Sequence, residues 1–256
     1  MTHALPNEFL EKPIAHRALH NNAQGRPENS AAAVQAAVDA GYAIEIDVQL
    51  SVDNKAVVFH DYDLARLTDG RGAVRERTAD DLKTVPLKYG GGAGIPSLSS
   101  VLEIIDGQVP LLIEIKDQDG ALGAEVGALE NAVAQAINDY SGPIAVMSFN
   151  PHSVAAMQTL APDVPRGLVT EYFRAADWKA PPDRLAALTH IDDYDKVGAC
   201  FISHNRRDLQ CTRLAELKSQ GARILTWTIR SPKEETNALH VAENITFEGY
   251  RPNRRS

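Results

Sequence analysis

Short apolar runs alternate with longer segments of helical periodicity along nearly the whole chain, and this alternation constrains the fold most strongly. Nine runs have the length and composition of strands: residues 13–17, 43–50, 56–60, 110–115, 144–149, 166–170, 199–203, 223–229 and 245–247. Helix candidates lie between most of them, at residues 29–40, 97–105, 121–140, 151–160, 208–220 and 232–242. Such alternation is typical of βα units around a parallel sheet. In a chain of 256 residues it predicts an α/β fold, a (β/α)8 TIM barrel.

One strand-like run exceeds the number that the barrel needs, and a hairpin accounts for it. A turn signal at residues 52–55 separates the second run from the third. With Asp53 and Asn54 as the two central residues of the turn, His60 lies directly opposite Asp47 in the antiparallel pair. Residues directly opposite one another share a face of the sheet, so this register predicts that the two side chains are neighbours.

The segment at about residues 61–95 breaks the regular alternation because it is rich in charge, glycine and proline. We interpret it as an inserted loop after the second strand region. The barrel and this insertion use nearly all of the residues, so the sequence predicts a single domain over residues 1–256.

The composition excludes several classes of function. The chain has 26 Lys and Arg against 34 Asp and Glu, a formal net charge of −8, whereas nucleic-acid and anionic-membrane binders rely on basic surfaces. Its two cysteines allow neither a disulfide framework nor a four-cysteine zinc site. No apolar run approaches the roughly 18 residues of a membrane span, and residues 1–11 lack a signal-peptide pattern. We therefore expect a cytoplasmic protein without stable membrane insertion or a nucleic-acid partner; its oligomeric state stays open.

Two carboxylates share one face of the second strand-like run. Glu45 and Asp47 lie two residues apart and point the same way, while Ile44, Ile46 and Val48 point to the other face. Two like charges on a buried face are costly unless a cation compensates them. The pair therefore indicates half of a Mg²⁺ or Ca²⁺ site, and the alternative is a solvated strand face.

The same spacing recurs at the end of the fourth strand-like run, where Glu114 and Lys116 share a face. Taken alone, this pair is equally consistent with a simple buried ion pair. Taken with Glu45 and Asp47, it offers a third metal ligand in Glu114 and a phosphate-binding cation in Lys116. Barrel enzymes keep their active sites at the C-terminal ends of strands, where these groups lie.

Two histidines stand at the ends of apolar runs. His16 and Arg17 end the first run, and His60 and Asp61 end the third. Each histidine alone is equally consistent with a core residue whose ring nitrogens are satisfied. Together with an adjacent arginine, which binds phosphate oxygens in a fork, they indicate acid–base cleavage of a phosphoester.

The motifs occur in an order that resembles the glycerophosphodiester phosphodiesterase family, whose members are PLC-like phosphodiesterase barrels. The resemblance runs through most of the chain and is carried by His16-Arg17, Pro27-Glu28-Asn29-Ser30, Glu45-Ile46-Asp47-Val48, Asp53, His60-Asp61, Leu64, Arg66, Thr68, Gly70, Gly72, Ile95-Pro96-Ser97-Leu98, Glu114-Ile115-Lys116, Ser148-Phe149 and Trp227-Thr228. It implies a barrel enzyme that hydrolyses glycerophosphodiesters, small-molecule substrates, to glycerol 3-phosphate and an alcohol. The chain departs from the family pattern at Ala18, at Arg230 and in the run Thr246-Phe247-Glu248-Gly249-Tyr250-Arg251-Pro252.

The resemblance also implies roles for individual side chains. The residues that match the family's metal ligands are Glu45, Asp47 and Glu114, and the cofactor is a divalent metal, Mg²⁺ or Ca²⁺. The residues that match the acid–base pair are His16 and His60. We assign His16 as the base and His60 as the acid.

The sequence leaves alternatives open for substrate binding and for the route of the reaction. By resemblance, Arg17 and Lys116 hold the phosphate, while Trp227 either lines the glycerol or head-group pocket or only packs. The attacking oxygen belongs to water or to the glycerol 2-hydroxyl. Lysophospholipase D-like cleavage of lysophospholipids is favoured if exposed aromatic side chains or a hydrophobic groove surround the mouth of the site. A non-catalytic barrel that binds a phosphorylated ligand is the remaining alternative, although binding alone needs no histidine pair.

Overall fold

The computed structural model describes residues 4–253 and confirms the predicted (β/α)8 barrel. The strands are β1 (Ile14–Ala15), β2 (Ala43–Leu50), β3 (Ala56–Val58), β4 (Leu111–Ile115), β5 (Ile144–Ser148), β6 (Arg166–Thr170), β7 (Phe201–Asn205), β8 (Arg223–Ile229) and β9 (Asn244–Phe247). All except β3 are parallel neighbours, in the order β1-β2-β4-β5-β6-β7-β8-β9. Pairing of Ile14 in β1 with Thr246 in β9 closes the ring.

The α-helices of the described residues are α1 (Glu8–Glu11), α2 (Ala31–Ala40), α3 (Ala79–Thr84), α4 (Leu98–Ile105), α5 (Ala128–Ile137), α6 (Pro151–Leu160), α7 (Pro182–Thr189), α8 (Thr212–Ser219) and α9 (Pro232–Ala238). The sequence predicts all of them except α1, α3 and α7. Because α1 and α3 have only 4 and 6 residues, they are too short to show a periodic apolar pattern. Within residues 4–253, no helix has both the length and the apolar character needed to cross a bilayer.

The alternation along β2 separates the core of the protein from its barrel interior. Ile44, Ile46 and Val48 face outward and belong to the large apolar core under the surrounding helices. Ala43 faces inward and belongs to a smaller apolar cluster that fills the barrel. By the same alternation, Glu45 and Asp47 share a face, as predicted, and that face is the barrel interior above Ala43.

The N-terminal end of the barrel is closed by α1. Leu5 and Phe9 join the interior cluster of apolar side chains, whose other members are Ile14, Ala43, Leu112, Ala145, Met147, Val169, Phe201 and Leu225. The side-chain amide of Asn244, at the start of β9, donates to the carbonyl oxygens of Phe9 and Lys12 at 2.8 and 2.6 Å. Apolar packing therefore fills the lower part of the interior, and the polar side chains lie toward the C-terminal end.

The hairpin is present, but the predicted register is wrong by one residue. Val48 pairs with Val58, and the backbone N–H of Phe59, not His60, donates to the carbonyl oxygen of Asp47 at 3.0 Å. The cause is a three-residue loop at residues 52–54 rather than a two-residue turn, with Asn54 in the left-handed region at φ 56°. His60 therefore follows the end of β3 and does not lie opposite Asp47.

The inserted segment at residues 61–95 contains α3 and a small apolar cluster rather than irregular loop alone. Its buried side chains pack on Val57 and Phe59 of the hairpin, and they are Leu64, Val74, Leu82, Leu87 and Ile95. The insertion is thereby attached to the outer strand β3, next to His60 and Asp61.

Because side chains inside the barrel are closely packed, we expect that replacing Gly167 of β6 by a larger residue destabilises the protein. A Cβ atom there would lie 2.4 Å from the ring of Phe201, which is 0 % exposed, so the ring would have to move. We expect Gly167→Ala to lower the free energy of unfolding by about 1–3 kcal/mol, the usual cost of overpacking. Urea denaturation measures this change.

The matched control is Gly123→Ala, because a Cβ atom at Gly123 would meet no heavy atom of the described residues within 4 Å. Its free energy of unfolding should stay within about 0.5 kcal/mol of the parent value. Equal stability of the two variants would contradict the packing described here.

Candidate active site

One cleft at the C-terminal ends of the strands contains every side chain that the sequence predicts for the site. Its volume is about 600 Å³. The predicted residues that line it are His16, Arg17, Glu45, Asp47, His60, Glu114, Lys116 and Trp227. His16 and Lys116 directly follow the last residues of β1 and β4, so strand ends far apart in the sequence supply the lining. The error in the hairpin register does not remove His60 from the cleft.

Three buried carboxylates form the floor of the cleft. Glu45 and Asp47 are each 1 % exposed, and the parallel pairing of β2 with β4 places Glu114 beside Asp47. One oxygen from each carboxylate lies within 4.8 Å of the others. Burial, followed by the charges of Asp47 and Glu114, raises the pKa of Glu45 well above its ordinary value. This repulsion, together with the all-oxygen donor set, fits a hard divalent cation such as Mg²⁺ or Ca²⁺.

Lys116 already places one positive charge against this cluster. Its ammonium donates to Glu114 Oε1 at 2.5 Å and lies 2.8 Å from Asp47 Oδ1. Burial alone would raise the pKa of Asp47, but Lys116, His60 and Arg17 together outweigh burial and lower that pKa. In turn, Asp47 and Glu114 raise the pKa of Lys116 against the effect of its own burial. Asp47 and Lys116 are therefore both charged.

The loop after β1 is folded around the same carboxylates. Arg17 and Ala18 both have left-handed backbone angles, with φ of 53° and 63°. This conformation directs the backbone N–H of Arg17 to Glu45 Oε2, at 2.7 Å. Such angles are costly away from glycine and persist where the surrounding contacts hold them. Ala18 therefore holds, without being glycine, a backbone angle in the left-handed region that favours glycine.

Asn29 is a site residue to which sequence reasoning gave no role. Its side-chain amide donates to Asp47 Oδ2 at 2.8 Å, and its Oδ1 accepts from the Asp47 backbone N–H at 3.2 Å. Asn29 is 1 % exposed and has φ 59°, and it directly precedes Ser30, the N-cap of α2. The two bonds fix the orientation of the Asp47 carboxylate. The position of Asn29 in the Pro-Glu-Asn-Ser motif was the available signal.

Glu248 is the partner of His16 and was also missed. The ring Nδ1 of His16 lies 2.6 Å from Glu248 Oε2, and Arg230 donates to Glu248 Oε1 at 2.8 Å through Nε. Burial opposes ionisation of Glu248, but His16 and the other neighbours outweigh it and lower its pKa. Burial also lowers the pKa of His16, although the bond to Glu248 opposes that shift. A neutral His16 that donates from Nδ1 to a carboxylate keeps its free electron pair on Nε2.

His60 is held by a chain of charged contacts. Its Nδ1 lies 2.6 Å from Asp61 Oδ1, and Arg66 donates to Asp61 Oδ2 at 2.5 Å. Arg66 also donates to Glu28 Oε1 at 2.8 Å, and Glu28 in turn accepts from Arg17 at 2.6 Å. Burial would raise the pKa of Asp61, but His60 and Arg66 lower it. Each of the two cleft histidines is therefore bonded to a carboxylate through Nδ1.

Aromatic side chains form one wall of the cleft. The ring of Trp227 contacts that of Phe149 edge to face at 5.5 Å, and Phe149 lies 5.1 Å from Trp178. The indole N–H of Trp227 donates to the Ser203 carbonyl at 2.9 Å. Trp227 thus lines the cleft and packs at the same time. Tyr62, which is 50 % exposed, stands at the rim.

Residues 16–246 match the sequence profile of the glycerophosphoryl diester phosphodiesterase family, and the chain belongs to this family. It is 31 % identical over 228 residues to YhdW of Bacillus subtilis (strain 168), which is provisionally named a glycerophosphodiester phosphodiesterase; the match covers 86 % of each protein. It is 32 % identical over 173 residues to a glycerophosphodiester phosphodiesterase of Caldanaerobacter subterraneus subsp. tengcongensis, covering 64 % of this chain and 69 % of that protein.

Solved structures share the fold. A phosphodiesterase from Oleispira antarctica, determined with the product sn-glycerol-3-phosphate, superposes with a TM-score of 0.76 at 24 % identity, covering 94 % of this chain and 93 % of that one. A glycerophosphodiester phosphodiesterase from Parabacteroides distasonis gives a TM-score of 0.72 at 22 % identity, covering 92 % of each. The family resemblance seen in the sequence is confirmed, and the protein is a phosphoric diester hydrolase by family.

The three carboxylates predict that a divalent cation stabilises the protein. A cation bound to Glu45, Asp47 and Glu114 offsets their mutual repulsion only in the folded state. At a concentration of 100 Kd it should add about 2.7 kcal/mol to the free energy of unfolding. The measurement is the melting temperature with Mg²⁺ or Ca²⁺ and after chelation.

Two substitutions sharpen this experiment. Glu45→Gln should remove most of the shift in melting temperature, while Glu125→Gln, at an exposed position outside the cleft, should keep it. A full shift in the Glu45→Gln protein would show that the cation binds elsewhere.

Proposed function

We propose that the protein is a divalent-metal-dependent phosphodiesterase that hydrolyses glycerophosphodiesters to glycerol 3-phosphate and an alcohol. The observation that carries the proposal is the presence of two carboxylate-bonded histidines, His16 and His60, in the same cleft as three buried carboxylates. The name of the Caldanaerobacter relative and the product bound in the Oleispira structure support the same substrate class.

The metal would be held by Glu45, Asp47 and Glu114. Their oxygens suit Mg²⁺ or Ca²⁺, and a bound cation would supply Lewis-acid neutralisation of charge on the phosphate. Arg17 and Lys116 would bind the remaining phosphate oxygens, since both cations face the cleft beside the carboxylates. Compensation of the phosphate charge reduces its repulsion of an attacking oxygen.

His16 would act as the base and His60 as the acid. His16 Nε2 takes the proton of the attacking hydroxyl while that oxygen bonds to phosphorus, and Glu248 stabilises the resulting imidazolium. The bond from phosphorus to the leaving oxygen breaks as His60 donates a proton to that oxygen, with Asp61 holding the ring. The attacking group is water, which gives glycerol 3-phosphate directly, or the glycerol 2-hydroxyl, which gives a cyclic phosphate that water then opens to glycerol 3-phosphate. Each proton transfer is worth about 10²–10⁴-fold in rate.

The aromatic wall gives lysophospholipase D-like cleavage some support as a second candidate function. Trp178 and the exposed rim residue Tyr62 offer apolar surface to an acyl chain at the mouth of the cleft. Comparison of kcat/KM for lysophosphatidylcholine and glycerophosphocholine in one assay separates the two candidates. A non-catalytic barrel is disfavoured because phosphate binding requires neither histidine–carboxylate pair.

The proposal predicts the effects of removing either histidine. The purified protein should release glycerol 3-phosphate from glycerophosphocholine only when a divalent metal is present. His16→Ala and His60→Ala should each lower kcat by about 10²–10⁴-fold, because each removes one proton-transfer group. An enzyme-coupled assay of glycerol 3-phosphate measures the rate.

The matched controls are His152→Ala and His240→Ala, which alter exposed histidines outside the cleft and should leave kcat unchanged. Circular dichroism should show that all four variants keep the parent fold. Parent-like kcat in either cleft variant would exclude the assigned acid–base pair.

A further inference from the structure

A second group of side chains that could hold a metal ion lies outside the cleft, at the C-terminal end of β7. It consists of His204 in β7, Asp208 in the 3-10 turn that follows, and Cys211 just before α8. Ser203 lines the cleft, and neighbouring residues on a strand point to opposite faces. His204 therefore points away from the barrel interior, toward the surrounding layer of helices, and it is 1 % exposed.

The imidazole of His204 has one satisfied nitrogen and one unsatisfied nitrogen. Its Nδ1 lies 2.7 Å from the hydroxyl of Thr170 on the neighbouring strand β6. Its Nε2 is buried and has no hydrogen-bond partner among the described residues. Asp208 Oδ2 lies 3.6 Å from this nitrogen, which is longer than a hydrogen bond. A buried polar atom without a partner costs about 1–3 kcal/mol, and a bound ligand would remove that cost.

The three side chains have donor atoms close enough to share one ion. His204, Asp208 and Cys211 each offer a ligand atom, and these atoms lie within 4.8 Å of one another. A tetrahedral zinc site with bond lengths of about 2.0–2.3 Å needs ligand separations of about 3.3–3.8 Å. Asp208, whose side chain is 37 % exposed, and Cys211, which is partly exposed, lie in the turn before α8 and could shorten these separations.

We propose that His204, Asp208 and Cys211 form a second metal site, specific for a borderline-soft divalent ion such as Zn²⁺. The donors are one imidazole nitrogen, one carboxylate oxygen and one thiolate, a set that favours zinc-like ions over Mg²⁺ or Ca²⁺. Nδ1–H of His204 donates to Thr170, which leaves the Nε2 electron pair for the ion. A water molecule completes the tetrahedron on the exposed side.

The bound ion would fasten the start of α8 to the end of β7. The turn between them carries Asp208 and Cys211, so coordination by these two residues and His204 would link the turn to strand β7. The site would be structural, and it does not depend on the function proposed for the cleft. It also differs chemically from the cluster of Glu45, Asp47 and Glu114, which contains no sulfur.

That chemical difference provides the test. Chelator-treated full-length protein is titrated with Co²⁺, and the near-ultraviolet spectrum is recorded for the thiolate-to-cobalt charge-transfer band. We expect one equivalent of this band, erased by a stoichiometric amount of Zn²⁺ and unaffected by excess Mg²⁺. Carboxylates alone cannot produce the band, so binding in the cleft does not interfere. Absence of the band at saturating Co²⁺ would overturn the proposal.

Variants identify the ligands. Cys211→Ser should abolish the band, and Cys200→Ser should keep it, because Cys200 is the only other cysteine in the sequence and is not part of the cluster. Asp208→Asn, at a partly exposed position, should weaken Co²⁺ binding by at least about tenfold. A band that survives Cys211→Ser, or that disappears with Cys200→Ser, would contradict the assignment. Melting of each metal-free variant verifies that the fold is retained.

Discussion

The repulsion among three buried carboxylates is the constraint on which the rest of the cleft depends. Glu45, Asp47 and Glu114 project into the barrel interior because the alternation of β2 and β4 leaves them no other face. Lys116 and the backbone N–H of Arg17 offset part of this charge. The overall charge of −8 is therefore a poor guide to ligand preference, because positive groups such as Lys116 set the local surroundings of an anionic substrate.

Each of the two histidines has its own set of bonded partners, and the two sets come from different parts of the sequence. His16 is bonded to Glu248 from the end of the chain, and Arg230 supports that carboxylate. His60 is bonded to its neighbour Asp61, which Arg66 of the insertion holds in place. The same bond, Nδ1 to a carboxylate, thus arises once from the closure of the barrel and once from a local loop. This arrangement leaves the other ring nitrogen of each histidine available.

Patterns within a short stretch of sequence predict the structural features that interactions between nearby residues determine. The period-two alternation of β2 correctly predicts that Glu45 and Asp47 share a face, and the position of the motifs at strand ends predicts that they lie at the C-terminal end of the barrel. Contacts that depend on loop geometry or distant pairing were not predictable. The hairpin register fails because the loop has three residues, and Glu248 is missed because barrel closure brings it to His16. His204, Asp208 and Cys211 are missed because their spacing follows a 3-10 turn rather than a cysteine motif.

The division of labour between the histidines is the central claim, and a change of leaving group tests it most directly. The measurement is kcat/KM of the parent, His16→Ala and His60→Ala for glycerophosphocholine and for a glycerophosphodiester with a nitrophenyl leaving group. A nitrophenolate departs without protonation, so His60→Ala should lose about 10²–10⁴-fold with the choline ester and little with the nitrophenyl ester, while His16→Ala loses activity with both. Equal losses of His60→Ala on the two substrates would contradict its assignment as the acid.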